Sequence, residues 1–199
     1  MKNKCKAGIR GILLLFLLAC SRWLLGSDSV SFLKWWSAAF LLGMAVLPLT
    51  GKLCSSFLDG GWMVSKVLGI ACSGFMVWLL VCCKTVKFSG NTCLFLAVSL
   101  AVICWGIWGR TSFFQGKIRA VLDGELIFTF FFLLWTYFAG FRPAAYGTEK
   151  FMDYGFMMAM MRSETLPAKD LWYAGENLNY YYGGQYFAVF LTKLTGTQV

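Results

Sequence analysis

Five apolar runs, at roughly 11–25, 35–50, 64–83, 91–109 and 124–141, leave this chain few folds to choose from. A helix needs about 20 residues to cross the hydrocarbon of a bilayer, with about 17 as a lower limit. The last three runs meet that length. The first two are short, but Arg22 and Lys34 can snorkel to the interface and extend them. The expected fold is all-α, a polytopic transmembrane helix bundle of about five spans.

Composition agrees with that class. Of the 199 residues, 59% are hydrophobic and 14% charged, against about 25% charged in a soluble domain. The net charge of +9 would suit a nucleic-acid partner, yet its distribution argues otherwise. The first 141 residues hold 13 Lys/Arg and four acids, with the bases placed between apolar runs. From Arg142 onward five bases meet five acids. No basic stripe interleaved with aromatics exists for a strand to track, so no nucleic acid is expected. Loop bases of this kind orient helices in a bilayer.

With the N-terminus inside, the inner loops carry Lys2, Lys4, Lys6, Arg10, Lys52, Lys66, Arg110, Lys117 and Arg119. The outer loops carry Arg22, Lys34, Lys84 and Lys87. The bias favours a cytoplasmic N-terminus in the cell membrane and an extracytoplasmic segment 142–185, provided that every run spans. Leu17-Leu18-Ala19-Cys20 resembles a lipoprotein processing box. An uncleaved anchor is the reading taken, and both give the same later topology. A sixth apolar stretch begins at Tyr186 and breaks at Lys193, which reads as the start of a further helix in a longer protein. The expected division is 1–141 as transmembrane helices, 142–185 as an acid- and aromatic-bearing loop, and 186–199 as that further helix.

Eight cysteines occur, none in a Cys-x-x-Cys pair and none beyond residue 104. Most lie in or beside apolar runs and read as small hydrophobes, so neither a disulfide framework nor a zinc site is expected. Histidine is absent, which removes the commonest general base. Catalysis would have to rest on carboxylates, Lys, Tyr or Ser/Thr. Asp123 and Glu125 stand at the start of the fifth run, where acids meet the helix dipole. They read as a cap.

The polar segment concentrates the remaining chemistry. Pro143 makes continuation of the fifth helix unfavourable. Glu149 and Asp153 are spaced i, i+4, so a helix capped by Thr148 would turn both carboxylates to one side. Lys150 lies beside them. The run from Tyr154 to Arg162, with Met157, Met158, Met160 and Met161, suits a helix lying in the membrane interface with its apolar face in lipid. Each feature has a plainer reading. Acids in a first turn stabilise any helix. Tyr180, Tyr181 and Tyr182 could be interfacial anchors. Asp170 and Trp172 fit an ordinary turn before Gly175. Gly183-Gly184 lacks the lysine and strand of a phosphate loop.

Several stretches together resemble the YYY membrane protein family, which belongs with the GT-C glycosyltransferase-like membrane proteins. They are Asp59-Gly60-Gly61, Lys66 to Gly69, Trp78-Leu79-Leu80, Glu149-Lys150 with Met152-Asp153, Leu166-Pro167, Asp170, Trp172, Ala174-Gly175, Asn179 to Tyr182 and Leu191 to Gly196. Two places depart from the family's pattern. Leu171 stands where a proline commonly follows the aspartate, which implies a less rigid turn. Gly183-Gly184-Gln185 follows the triplet where an aromatic and a His or Gln are expected, which leaves a polar contact at Gln185 in question.

The resemblance implies a GT-C-like bundle whose first large extracytoplasmic loop carries the catalytic acid, acting on polyprenyl-phosphate sugars. Asp153 would be the general base on the acceptor hydroxyl. Glu149 would assist it or share a divalent cation, Mg or Mn, through oxygen ligands. Lys150 or Arg142 would neutralise the donor phosphate. Tyr180 to Tyr182 would stack on a sugar or seat the polyprenyl chain, with Asp170, Trp172 and Asn179 completing a substrate surface against membrane lipid. A fold-level likeness is a weak warrant for activity. The competing reading is a non-enzymatic transport or assembly subunit with a structural acid motif. Ionisable groups in the middle of the spans would favour it, and the central parts of the last four runs show none. A third reading is that these 199 residues alone are inactive for want of later helices.

Overall fold

The computed structural model of the protein describes residues 2–109, 116–142, 144, 147 and 149–198. The helices are α1 (Lys2–Leu25), α2 (Ser29–Leu53), α3 (Trp62–Cys82), α4 (Gly90–Trp108), α5 (Ile118–Gly140), α6 (Lys150–Arg162) and α7 (Gly183–Thr195). Among the described residues no strand forms, and one isolated bridge links Lys169 to Asn177. Arg110, Pro143 and Thr148, to which the sequence assigns a loop base, a helix stop and a helix cap, lie outside the described residues.

Each apolar run becomes a helix, but among the described residues three stretches rather than five are long and apolar enough to cross a membrane. They are Lys6–Leu53, Trp62–Cys82 and Gly90–Trp108. The first contains both α1 and α2, separated only by the 3-10 turn Gly26–Asp28. The fifth run is not among them, and α5 carries Arg119, Asp123 and Glu125 near its start. Large apolar side chains point outward along these helices, including Leu15, Phe16, Leu41, Phe95, Val102 and Phe131. Exposed large apolar side chains in such number belong against lipid rather than water, and helices are suited to lipid because they satisfy their backbone internally.

By its internal contacts the chain divides into two compact units. One holds residues 1–69 and 100–143, the other 70–99 and 144–199.

In the first unit, the α1–α2 turn is closed by one carbonyl. Gly26 O accepts from Arg22 Nη1 at 2.6 Å and from Ser29 Oγ at 2.7 Å. Asp59 starts α3 by accepting from the Gly61 N–H at 3.0 Å and the Met63 N–H at 2.9 Å, the usual work of a short carboxylate at a helix start. Lys117 ties the start of α5 to the loop between α2 and α3 through Ser55 O at 2.6 Å and Phe57 O at 3.0 Å. Arg10 on α1 pairs with Asp123 on α5. On α2, Phe32 stacks on Phe132 at 4.8 Å and Trp36 Nε1 donates to Thr129 Oγ1 at 2.9 Å.

Close packing of α2 on α3 depends on Gly69. A Cβ there would stand 2.2 Å from the Leu42 carbonyl oxygen, which is backbone and cannot swing aside. Gly69→Ala is expected to cost about 1–3 kcal/mol through overpacking, read as a lower unfolding midpoint in detergent or nanodiscs. An unchanged midpoint would mean that the two backbones are not this close.

The second unit is built on α7. Tyr186 Oη donates to Gly74 O on α3 at 2.7 Å. Lys193 Nζ donates to Phe88 O at 2.8 Å and Ser163 O at 3.3 Å, with its ammonium 4.4 Å from the Phe88 ring. The Phe88 N–H donates to Glu164 O at 2.8 Å. An exposed ion pair joins Lys87 to Glu164 at 2.8 Å, and it raises the lysine pKa and lowers that of the carboxyl through their shared hydrogen bond. Between α6 and α7 the chain forms a small hairpin. Leu178 N–H donates to Ala168 O at 2.8 Å and Asp170 N–H to Glu176 O at 3.0 Å, while Leu166, Ala168 and Leu178 are buried beneath.

Candidate functional site

The first candidate feature is the start of α6. Glu149 occupies the cap position and Asp153 lies one turn on, its N–H donating to Glu149 O at 2.9 Å. Both carboxylates act electrostatically on the Tyr180 phenol. Asp153 is half-buried, Glu149 and Lys150 are exposed, and Lys150 is the first residue of α6. Asp153 Oδ1 accepts a 2.6 Å hydrogen bond from Gln185 Nε2 in the first turn of α7. The polar contact that the sequence leaves in question at Gln185 is made.

The hairpin lies on α6 next to these acids, and Gly155 makes room for it. A Cβ at Gly155 would meet Leu171 Cδ1 at 2.9 Å and the Trp172 ring at 3.2 Å. Trp172 sets its ring edge-on to Phe151 at 5.9 Å and to Phe156 at 5.4 Å. Phe156 in turn touches Tyr180 at 5.4 Å, and Tyr180 stacks on Tyr181 at 4.0 Å. A chain of rings thus joins the acid-bearing helix to the tyrosine block. Asp170 forms the expected turn, Oδ1 accepting from the N–H groups of Trp172 at 2.8 Å and Tyr173 at 3.0 Å. Gly175 follows with φ +91°.

The three tyrosines play different parts. Tyr182 Oη accepts from Trp78 Nε1 at 3.4 Å, which anchors the block to α3. Tyr180 Oη donates to Tyr181 Oη at 2.8 Å. That bond, then burial and the nearby phenol and carboxylates of Tyr181, Glu149 and Asp153, pushes the Tyr180 pKa up to about 12. Tyr180 is therefore a neutral donor at any physiological pH. Tyr181 is 79% exposed and presents its outer face to whatever approaches. Tyr181→Phe removes the acceptor, so Tyr180 should titrate nearer the ordinary phenol value of about 10. Ultraviolet difference titration of the two proteins reads this directly, and a variant that differs only by the loss of one phenol's amplitude, with no midpoint moved down, would refute the bond.

Asn179 is exposed in the same block. Arg142 follows the last turn of α5 in the first unit. The Met-rich face of α6 departs from expectation. Phe156 and Met160 are 3% and 0% exposed, buried in the protein rather than turned to lipid. The hairpin and α7 supply the apolar partner that an isolated amphipathic pattern would have sought in the bilayer.

A second polar feature, in the first unit, was hidden in the sequence. α5 begins at Ile118 with no acid in its first turn, so Asp123 and Glu125 do not cap it. Asp123 pairs with Arg10, and Glu125 is 1% exposed. Glu125 Oε1 lies 2.7 Å from Lys66 Nζ and accepts from Trp62 Nε1 at 2.6 Å. The Lys66 ammonium stands 4.0 Å over the Phe128 ring, with Trp62, Phe40 and Trp36 at 5.6–5.9 Å. Nζ makes no hydrogen bond of good geometry and Oε2 has no partner among the described residues. The pair is held by charge inside a box of rings. The available signal was Lys66 alone in the apolar α3 and Glu125 at the edge of the fifth apolar run, because buried charges are paired with one another.

No curated protein and no solved structure matches the chain significantly. Residues 72–199, more than half of its length, match the profile of a family described as uncharacterized membrane protein (DUF2298). The match takes in the second half of α3, all of α4 to α7 and the acid and tyrosine blocks, and the chain therefore belongs to this membrane protein family.

Proposed function

We propose that the protein is a GT-C-like membrane glycosyltransferase that moves a sugar from a polyprenyl-phosphate donor to an acceptor hydroxyl outside the cytoplasm. The observation that carries this reading is the half-buried Asp153, held at one oxygen by Gln185 and flanked through Phe156 by Trp172 and the stacked Tyr180–Tyr181 pair. A carboxylate beside exposed aromatic faces suits a sugar, whose C–H faces stack on rings while its hydroxyls meet acids. The resemblance to the YYY family supports the same assignment.

In the proposed step the acceptor oxygen attacks the anomeric carbon. The bond from that carbon to the phosphate oxygen breaks, and polyprenyl phosphate leaves with the electron pair. Asp153 takes the acceptor proton. The leaving phosphate needs little protonation, so a second acid is not required, unlike in glycoside hydrolysis. Lys150 stands next to the acids to offset the phosphate charge, and Arg142 is the alternative donor of that charge. Among the described residues no group of three or more acids, cysteines or histidines could hold a metal. A divalent ion here would rest on Glu149 and Asp153, the one or two carboxylates that Mg2+ takes when phosphate and water complete its shell.

A second reading keeps the protein as a transport or assembly subunit. Its support is the buried Lys66–Glu125 pair, since ionisable residues within membrane helices commonly mark transport pathways. Proteoliposomes loaded with a panel of labelled polyprenyl-phosphate sugars separate the two. The enzyme reading expects release of polyprenyl phosphate together with loss of label from the lipid phase. Folded, inserted protein that releases none from any donor would leave the transport or assembly role.

A further inference from the structure

We infer that Gln185 is a positioning residue that fixes which oxygen of Asp153 acts as the base. The inference rests on the glycosyltransferase reading and goes beyond it by naming how the site is aligned. Gln185 Nε2 donates to Asp153 Oδ1 at 2.6 Å across 32 residues of sequence. Both side chains are half-buried, so the bond is partly shielded from competing water. Oδ1 is engaged, and Oδ2 is the oxygen left to take a proton.

The frame behind Gln185 is rigid. It sits in the first turn of α7, whose next residue, the buried Tyr186, is bonded to Gly74 O at 2.7 Å. Further along, Lys193 secures the helix to Phe88 O and Ser163 O. Tyr182, just before α7, is held by Trp78. The carboxylate is thereby referred to the α3–α7 packing rather than to α6 alone. A neutral amide suits the task, since it orients the carboxylate without adding a charge that would share the proton. Gly183 and Gly184, just before Gln185 in the chain, face open space, because a Cβ at either position would meet nothing within 4 Å. An acceptor could approach there.

The test is steady-state transfer in proteoliposomes by the full-length protein, with variants first checked for insertion and a monodisperse detergent-solubilised form. Gln185→Leu should lower kcat roughly 100-fold with KM little changed, the cost of a base misplaced by about an ångström. Gln185→Glu, the same shape with a charge, should lose at least as much. In an Asp153→Asn background Gln185→Leu should cost nothing further, because the two act as a unit. A full additional loss in that background would mean a merely structural role and overturn the inference. So would a wild-type kcat in Gln185→Leu, which would leave the glycosyltransferase reading standing. If wild-type protein transfers no sugar, the glycosyltransferase reading falls first and this inference with it.

Discussion

Lys66→Met is expected to destabilise the protein by about 3–5 kcal/mol, the cost of leaving a buried carboxylate without its counter-charge. Glu125 is 1% exposed, and its two contacts through Oε1 are Lys66 at 2.7 Å and the Trp62 indole at 2.6 Å. Removing the lysine strands a charge among Trp36, Phe40, Trp62 and Phe128, rings that favour a cation and not an anion. The double variant Lys66→Met with Glu125→Gln should recover most of that loss. It removes both charges and keeps a side-chain oxygen for Trp62, and replacing both members of a buried pair is often neutral. Thermal or denaturant unfolding in nanodiscs reads the series. Losses that simply add in the double variant would show that the two side chains do not form a pair.

Asp153→Asn is expected to lower kcat by about 10²–10⁴-fold, the usual contribution of a positioned general base. The amide is the same size and can keep a hydrogen bond to Gln185 by presenting its oxygen, so α6 and α7 should remain packed. KM should stay near wild type because the aromatic surface of Trp172, Tyr180 and Tyr181 is untouched. An unchanged kcat would remove Asp153 from the chemistry, whatever else the protein does. A lowered kcat accompanied by loss of insertion would instead mark a folding role.

What could be read in the sequence follows from how local each feature is. The helices are set by uninterrupted apolar runs, and all five runs formed them. The count of spans was not local: α1 and α2 meet at the tight turn Gly26–Asp28, and the acids of α5 set it apart from the other long helices. The Asp170 turn was legible because an aspartate bonds its own backbone two and three residues on. The partner of Asp153 was not, because Gln185 is 32 residues away. Glu125 looked like a cap because its true partner, Lys66, lies 59 positions earlier by residue number on another helix. The apolar face of α6 was readable as apolar, but periodicity carries no information on whether lipid or protein covers it. Here Phe156 and Met160 are covered by protein.

The most direct measurement is transfer of a labelled sugar from polyprenyl-phosphate donors in membranes containing the protein, with Asp153→Asn run in parallel at equal insertion. The account predicts a labelled product in wild-type membranes that forms at least about 100-fold more slowly in the variant. Equal product from both, or none from any donor with the protein folded and inserted, would contradict it.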